Sequence, residues 1–240
     1  EKTGDRLPYV DSLFIKKIVD PMVRWTALRA GDLDYINFPA PNIAIQEIKN
    51  PTPGVVTVLP QPVGTVWVYF NVTKPPFDNK KVRQAFAYAI DKQELIKAAV
   101  WGLGEPVNNQ PFLNRSRMYV PVQEEAFNLA KAKELMAEAG YPKGFKTEFL
   151  QFSGGTEQAA SEVIVGQLSK IGIEGTLNIL DRAPWFDNMK KGNFQLSVRA
   201  ESERLDPDDA YYIFLHSGEI GNNNWSRYNN KQIDALLEKG

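Results

Sequence analysis

Residues 70–96, FNVTKPPFDNKKVRQAFAYAIDKQELI, decide the fold. Val66, Val68 and Phe70 alternate with Trp67 and Tyr69. A strand with bulk at every position is expected to be buried on both faces. Pro75 and Pro76 cannot continue a hydrogen-bonded ladder, so the strand must stop before them. Asp78 or Asn79 is placed to cap a helix that sets Val82, Ala85, Phe86, Ala89 and Ile90 on one face. Asp91 starts a second helix, and Glu94 three residues later completes a capping-box pattern ahead of Leu95 and Ile96.

Outward from this stretch the same logic continues. Downstream, NLAKAKELMAEAGYPKGF (residues 128–145) reads as a helix capped by Asn128, with Leu129, Ala132, Leu135, Met136 and Ala139 as its apolar stripe. Gly140 closes it and Pro142 follows. Residues 147–152 and 173–179 read as strands, 156–171 as a helix stopped by Gly172, 184–191 as a short helix, and 194–200 as a strand. Asp206-Pro207 opens a helix running to His216, and residues 229–240 hold another. Upstream, strands are expected at 14–19, 35–38 and 55–59, and helices at 20–31 and 42–48. No internal repeat is present.

Composition bounds the function. The chain has 240 residues, 43% hydrophobic and 24% charged, which fits one large or two modest globular domains. Lys+Arg at 28 against Asp+Glu at 29 lacks the basic excess of a nucleic-acid binder. There is no cysteine, which excludes disulfides, thiolate metal sites and a cysteine nucleophile. A single histidine and the absence of nucleophile-elbow, phosphate-loop or zinc-protease motifs remove most hydrolytic designs. A glycoside hydrolase using two carboxylates stays open, because Asp and Glu are plentiful.

A strand ending in FN, then PPFD, then VRQAFAYAIDKQELI resembles the extracytoplasmic solute-binding proteins of family 5, the peptide, dipeptide and nickel binders that serve ABC importers. VRWTALRAGDLDYI (residues 23–36) and the Gly-Tyr-Pro turn at 140–142 resemble the family as well, so the likeness covers nearly the whole chain. It implies an α/β fold of the class II periplasmic-binding-protein type: two lobes of mixed sheets flanked by helices. Residues 1–71 would belong to lobe I, including the first hinge strand, and residues 72–240 to lobe II. Family members are longer at both ends, which implies an internal fragment. The resemblance further implies a monomer without cofactor or catalytic activity. It would be periplasmic or otherwise extracytoplasmic, peripheral to the membrane, lipid-anchored through an N-terminal segment outside this chain, and partnered by a membrane permease. The implied ligand is a peptide or another small solute. An oligosaccharide or a metal chelate on the same fold is the alternative.

The resemblance also marks candidate ligand contacts. Trp185 stands where the family has an aromatic facing the cleft; the plainer reading is that Trp185 or Phe186 pins its short helix to the sheet. The strand carrying Arg199 and Ala200 matches the one that runs along the cleft and bonds an extended ligand. Glu203, three residues before Asp206-Pro207, matches the carboxylate that neutralises a ligand amine, although the family usually has Asp there. Ala200 stands where it usually has Trp, which removes a stacking wall. The competing reading makes Glu201, Glu203 and Arg204 a solvated charged turn. Tyr69 and Asn71 lie at the expected crossover, and Asn224 and Arg227 on a segment returning to the cleft edge or on a polar surface loop. Asp206 and Asp208 are explained as helix-cap residues, and no metal ligands are expected.

Overall fold

A computed structural model describes residues 9–37, 41–58, 64–107, 109–113, 115–122, 126–202, 204 and 206–239. The chain divides into two compact units, Glu1–Leu59 and Pro60–Gly240.

The first unit holds helices α1 (Pro21–Ala30) and α2 (Pro41–Lys49). Asp20 caps α1 as its sequence demands: its Oδ1 accepts from the amides of Met22 and Val23 at 2.7 and 3.0 Å, and Gly31 ends the helix at φ +81°. The strands expected at 14–19, 35–38 and 55–59 do not form over their described residues; Phe38 and Leu59 lie outside those. β-Branched and aromatic residues make a strand only when a neighbouring ladder satisfies the backbone and covers a face. Phe14 and Ile15 are 90% and 89% exposed, and no described residue pairs with them as a strand.

The second unit is built on a four-stranded mixed sheet. Its strands are β1 (Gly64–Phe70), β2 (Phe145–Phe152), β3 (Ile173–Leu180) and β4 (Leu196–Ser202), in the order β1-β4-β2-β3. β1 runs antiparallel to β4, from Gly64 opposite Ser202 to Phe70 opposite Leu196. β2 runs parallel to both β3 and β4. Helix α6 (Gly155–Leu168) makes the crossover that a parallel β2–β3 pair requires. β1, expected to be covered on both faces, is an edge strand whose Val66 is 39% exposed. Its far end is well covered, where Phe70 packs on Phe77 and edge-on to Phe86.

The period-2 alternation of the strands sorts the core into two layers. On one face Phe149, Ile173, Leu196 and Val198 meet Val82, Ala85 and Phe86 of α3 (Lys80–Ala89), Met136 of α5 (Leu129–Glu138), and Ile164 and Leu168 of α6. On the other, Tyr69 and Leu150 meet Trp185 and Met189 of α7 (Arg182–Lys191), with Phe194 and Trp225. Asn79 caps α3 and Asn128 caps α5. Asp91 caps α4 (Lys92–Val100), but Glu94 does not bond back to it. Gln167 of α6 supplies that half instead: its Oε1 accepts from the Asp91 amide at 3.0 Å and its Nε2 donates to Glu94 Oε2 at 3.1 Å. The cap thereby ties α4 to α6.

Beyond β4 the chain enters the expected helix as a π-helical turn, Asp208–Tyr212, which continues into α8 (Ile213–Leu215). Helix α9 (Lys231–Leu237), capped by Asn230, ends the described chain.

Candidate functional site

The antiparallel register places Tyr69 opposite Ser197 and Trp67 opposite Arg199. Because side chains alternate, Ser197, Arg199 and Glu201 of β4 share one face with Thr65, Trp67 and Tyr69 of β1. This is the face covered by α7. The two strands therefore present polar and charged groups to a layer of aromatic rings.

The centre of that arrangement is Glu201, which is 5% exposed. Its Oε1 accepts from the Tyr69 hydroxyl at 2.9 Å and forms an ion pair with Arg199, whose Nε lies 3.1 Å away. Burial pushes the Glu201 carboxyl above the usual carboxylate range, with Arg199 and the Tyr69 hydrogen bond pulling the other way. Burial, reinforced by the neighbouring Glu201 charge, holds the Tyr69 phenol well above its ordinary value, so it stays a donor. The Arg199 guanidinium lies 5.8 Å from the Trp185 ring centre, 5.4 Å from Phe186 and 5.7 Å from Trp225. A cation between ring faces is held in position and gains cation–π energy. The result is a fixed charge pair with an apolar wall.

The other residues singled out by sequence fall into distinct settings. Trp185 is fully buried: its indole N–H donates to Ser197 Oγ at 3.1 Å, and its ring meets Phe152 and Phe186 edge-on. These contacts pin α7 to the sheet. Ala200 points to the opposite face from Arg199, beside Val66, and is exposed. Asn71 is fully buried and fully used: Nδ2 donates to the Gly192 and Phe194 carbonyls, and Oδ1 accepts from the Thr73 amide and hydroxyl. Asn224 is used in the same way, donating to the Leu215, His216 and Tyr228 carbonyls and accepting from the Tyr228 amide. Arg227 donates to the Lys190 carbonyl at 3.2 Å. Glu203 lies outside the described residues. Of the residues singled out by sequence, the fold brings Tyr69, Arg199 and Trp185 together and uses Asn71, Asn224 and Arg227 as backbone clamps.

Glu201 was not among the candidate contacts; the competing reading of a solvated charged turn included it, and its burial overturns that reading for this residue. The signal was present: Ser197, Arg199 and Glu201 alternate with Leu196, Val198 and Ala200, so they share a face. Arg204, also assigned to that turn, bonds Asp209 Oδ2 at 3.1 Å and stands 5.7 Å from the Phe214 ring centre. Among the described residues no group of three or more His, Asp or Glu side chains is placed to hold a metal. His216 is occupied, stacked on Tyr212 at 4.3 Å and accepting from the Gly218 amide.

Comparison with known proteins agrees with this architecture. The model for bacterial extracellular solute-binding proteins, family 5 (middle region), matches residues 3–222. The chain belongs to that family. Heme-binding protein A of Haemophilus influenzae is 33% identical over 236 residues, which is 96% of this chain and 43% of that protein. Two solved structures share the fold. The periplasmic binding protein DppA of Helicobacter pylori, in complex with the peptide STSA, gives a TM-score of 0.84 at 27% identity over 93% of this chain and 44% of its own. AgaA of A. tumefaciens R10, in complex with agropinic acid, gives 0.80 at 30% identity over 92% and 45%. The chain therefore spans somewhat under half the length of these family 5 relatives. Among the described residues no helix is long and apolar enough to cross a membrane.

Proposed function

We propose that the full-length protein is the solute-binding component of an ABC importer. It takes up a peptide or similar small solute outside the cytoplasm, closes two lobes over it and presents it to a membrane permease. The observation that carries this reading is the Tyr69–Glu201–Arg199 cluster: fixed polar groups of opposite charge against an aromatic wall, with no nucleophile–base pair among the described residues around them. Sites that bind small molecules combine apolar surface with a few oriented polar groups in this way. Family membership supports it, as do the relatives that hold a peptide and agropinic acid.

The same reading makes the protein non-catalytic, monomeric, free of cofactors and peripheral to the membrane. A carboxylate-pair hydrolase needs two free carboxylates across a pocket. Glu201 is engaged by Tyr69 and Arg199, and Asp206 accepts from the Asp208 amide in its own turn. We assign a crossover between lobes to the strand near Tyr69 and Asn71, at the end of β1. Glu203 is assigned the ligand's amine.

Calorimetry of the full-length protein with a mixture of di- and tripeptides tests the reading. Saturable binding is expected, together with at least a tenfold loss in Glu203→Ala. Retention of no peptide sinks the peptide assignment, and unchanged affinity in Glu203→Ala for an amine-bearing peptide sinks the role of that carboxylate.

A further inference from the structure

Arg199 is held as a presented cation. Glu201 Oε1 pairs with it from the Nε side, at 3.1 Å. The two terminal nitrogens of the guanidinium make no hydrogen bond among the described residues, and neither is sealed from solvent. The side chain as a whole is 20% exposed. Trp185, Phe186 and Trp225 surround the guanidinium carbon at 5.4–5.8 Å. Rings and carboxylate together fix the plane of the group and exclude water from much of it.

A structural counter-ion for Glu201 would need none of this. A guanidinium with a free two-nitrogen edge matches a planar oxyanion, bonding both oxygens at once. Partial enclosure by rings lowers the local dielectric, so the attraction at the open edge is stronger than in water. The charge balance selects among anions. Arg204 adds a second positive charge felt by Glu201 and Tyr69, while Glu201 itself and the more distant Glu157 subtract from it. These four charges balance, leaving nothing to offset a second negative charge on the ligand, so a monoanion fits better than a phosphate dianion.

We propose that Arg199 is a ligand-binding residue that receives a carboxylate of the solute through its two terminal nitrogens, with Glu201 and Tyr69 as positioning residues. This rests on the binding-protein reading above and narrows its ligand class to carboxylic acids. The carboxylate subsite then lies at Arg199, four residues before Glu203, to which the amine is assigned.

Tryptophan fluorescence reports the site directly, because Trp185 and Trp225 both touch the cation. The full-length protein, stripped of bound solute, is titrated at constant ionic strength with acetate, acetamide and inorganic phosphate. Acetate is expected to saturate in the millimolar range, acetamide to give no saturable change, and Arg199→Gln to weaken acetate at least tenfold. Arg199→Lys, which keeps the charge and loses the fork, is expected to fall between. Since Arg199→Gln strands a buried carboxyl, the double variant R199Q/E201Q, which leaves a neutral pair, serves as the folded control and must show the same loss. No saturable acetate response in the wild type, equal acetate affinity in R199Q/E201Q, or tighter binding of phosphate than acetate each overturns the proposal. A peptide and its C-terminal amide then separate the two readings. If the free acid binds at least tenfold tighter than the amide and R199Q/E201Q abolishes that difference, the carboxylate contact is supported in a true ligand. An unchanged difference overturns it. If acetate saturates as expected but no peptide binds, the carboxylate subsite stands and the peptide assignment fails.

Discussion

Asn71 shows how a single amide side chain can hold a chain reversal. It is fully buried just beyond β1, and its four side-chain hydrogen bonds join the Thr73 turn to the Gly192 and Phe194 carbonyls. Leu is nearly the same size but offers none of these bonds, so Asn71→Leu leaves buried donors and acceptors without partners. The expected loss is about 2–4 kcal/mol in urea unfolding. Its place after the FN of the opening stretch was legible in sequence; its partners, more than 120 residues away, were not. The same gap explains Glu201. Its neighbours in sequence, Arg199, Glu203 and Arg204, are all charged, and such a run normally faces water. Only pairing with β1 puts the Tyr69 hydroxyl over it and turns it into a buried group.

At the scale of elements, the parallel pair β2–β3 depends on how its strands begin. Gly144 and Gly172 each precede a strand at φ +79° and +84°, and their backbones touch. A Cβ on Gly144 would stand 1.8 Å from the Gly172 carbonyl oxygen. Gly144→Ala therefore combines a left-handed backbone with a collision against main chain that cannot swing away. It is expected to cost about 3–5 kcal/mol by thermal unfolding. Gly140→Ala, just past the end of α5, is the control: φ is +90° but nothing lies within 4 Å, so only the backbone penalty of about 1–2 kcal/mol remains. Helices α3, α4, α5 and α6 were legible because caps and a 3.6-residue apolar period are local signals. The capping-box partner of Asp91 was read as Glu94 and proved to be Gln167, 76 residues away, because a tertiary contact satisfied the amide first.

For the molecule as a whole, the response to acid is set by where charge is needed. Asp234 of α9 accepts from the Ser217 amide at 2.9 Å and hydroxyl at 2.6 Å, and from Lys231 at 3.1 Å. These hydrogen bonds hold its carboxyl at about 2, below the ordinary 3.8. A depressed carboxylate contributes stability above its unfolded value and loses it as pH falls through the folded one. The wild type is therefore expected to exceed Asp234→Asn by a constant margin at neutral pH, and that margin should shrink as pH drops from about 4 to about 2. Urea melts across that range measure it; a margin that does not change would mean that Asp234 is not charged in the fold. Glu201 works in the opposite sense, since burial favours its neutral form and its contribution fades as pH rises through its raised value.

Sequence alone determined the order of elements in the second unit, their capping residues, the break at Pro75-Pro76 and the family, because each is written in short-range patterns of charge, size and backbone preference. It overstated the first unit, where three strand-like runs have the residues for strands but no pairing partner among those described. Tertiary structure alone decided that β1 lies at a sheet edge against β4, and that Arg199, Glu201 and Tyr69 meet under Trp185 and Trp225. Pairing register and face are properties of two strands at once, and the fold brings Tyr69 opposite Ser197, 128 positions further along the chain.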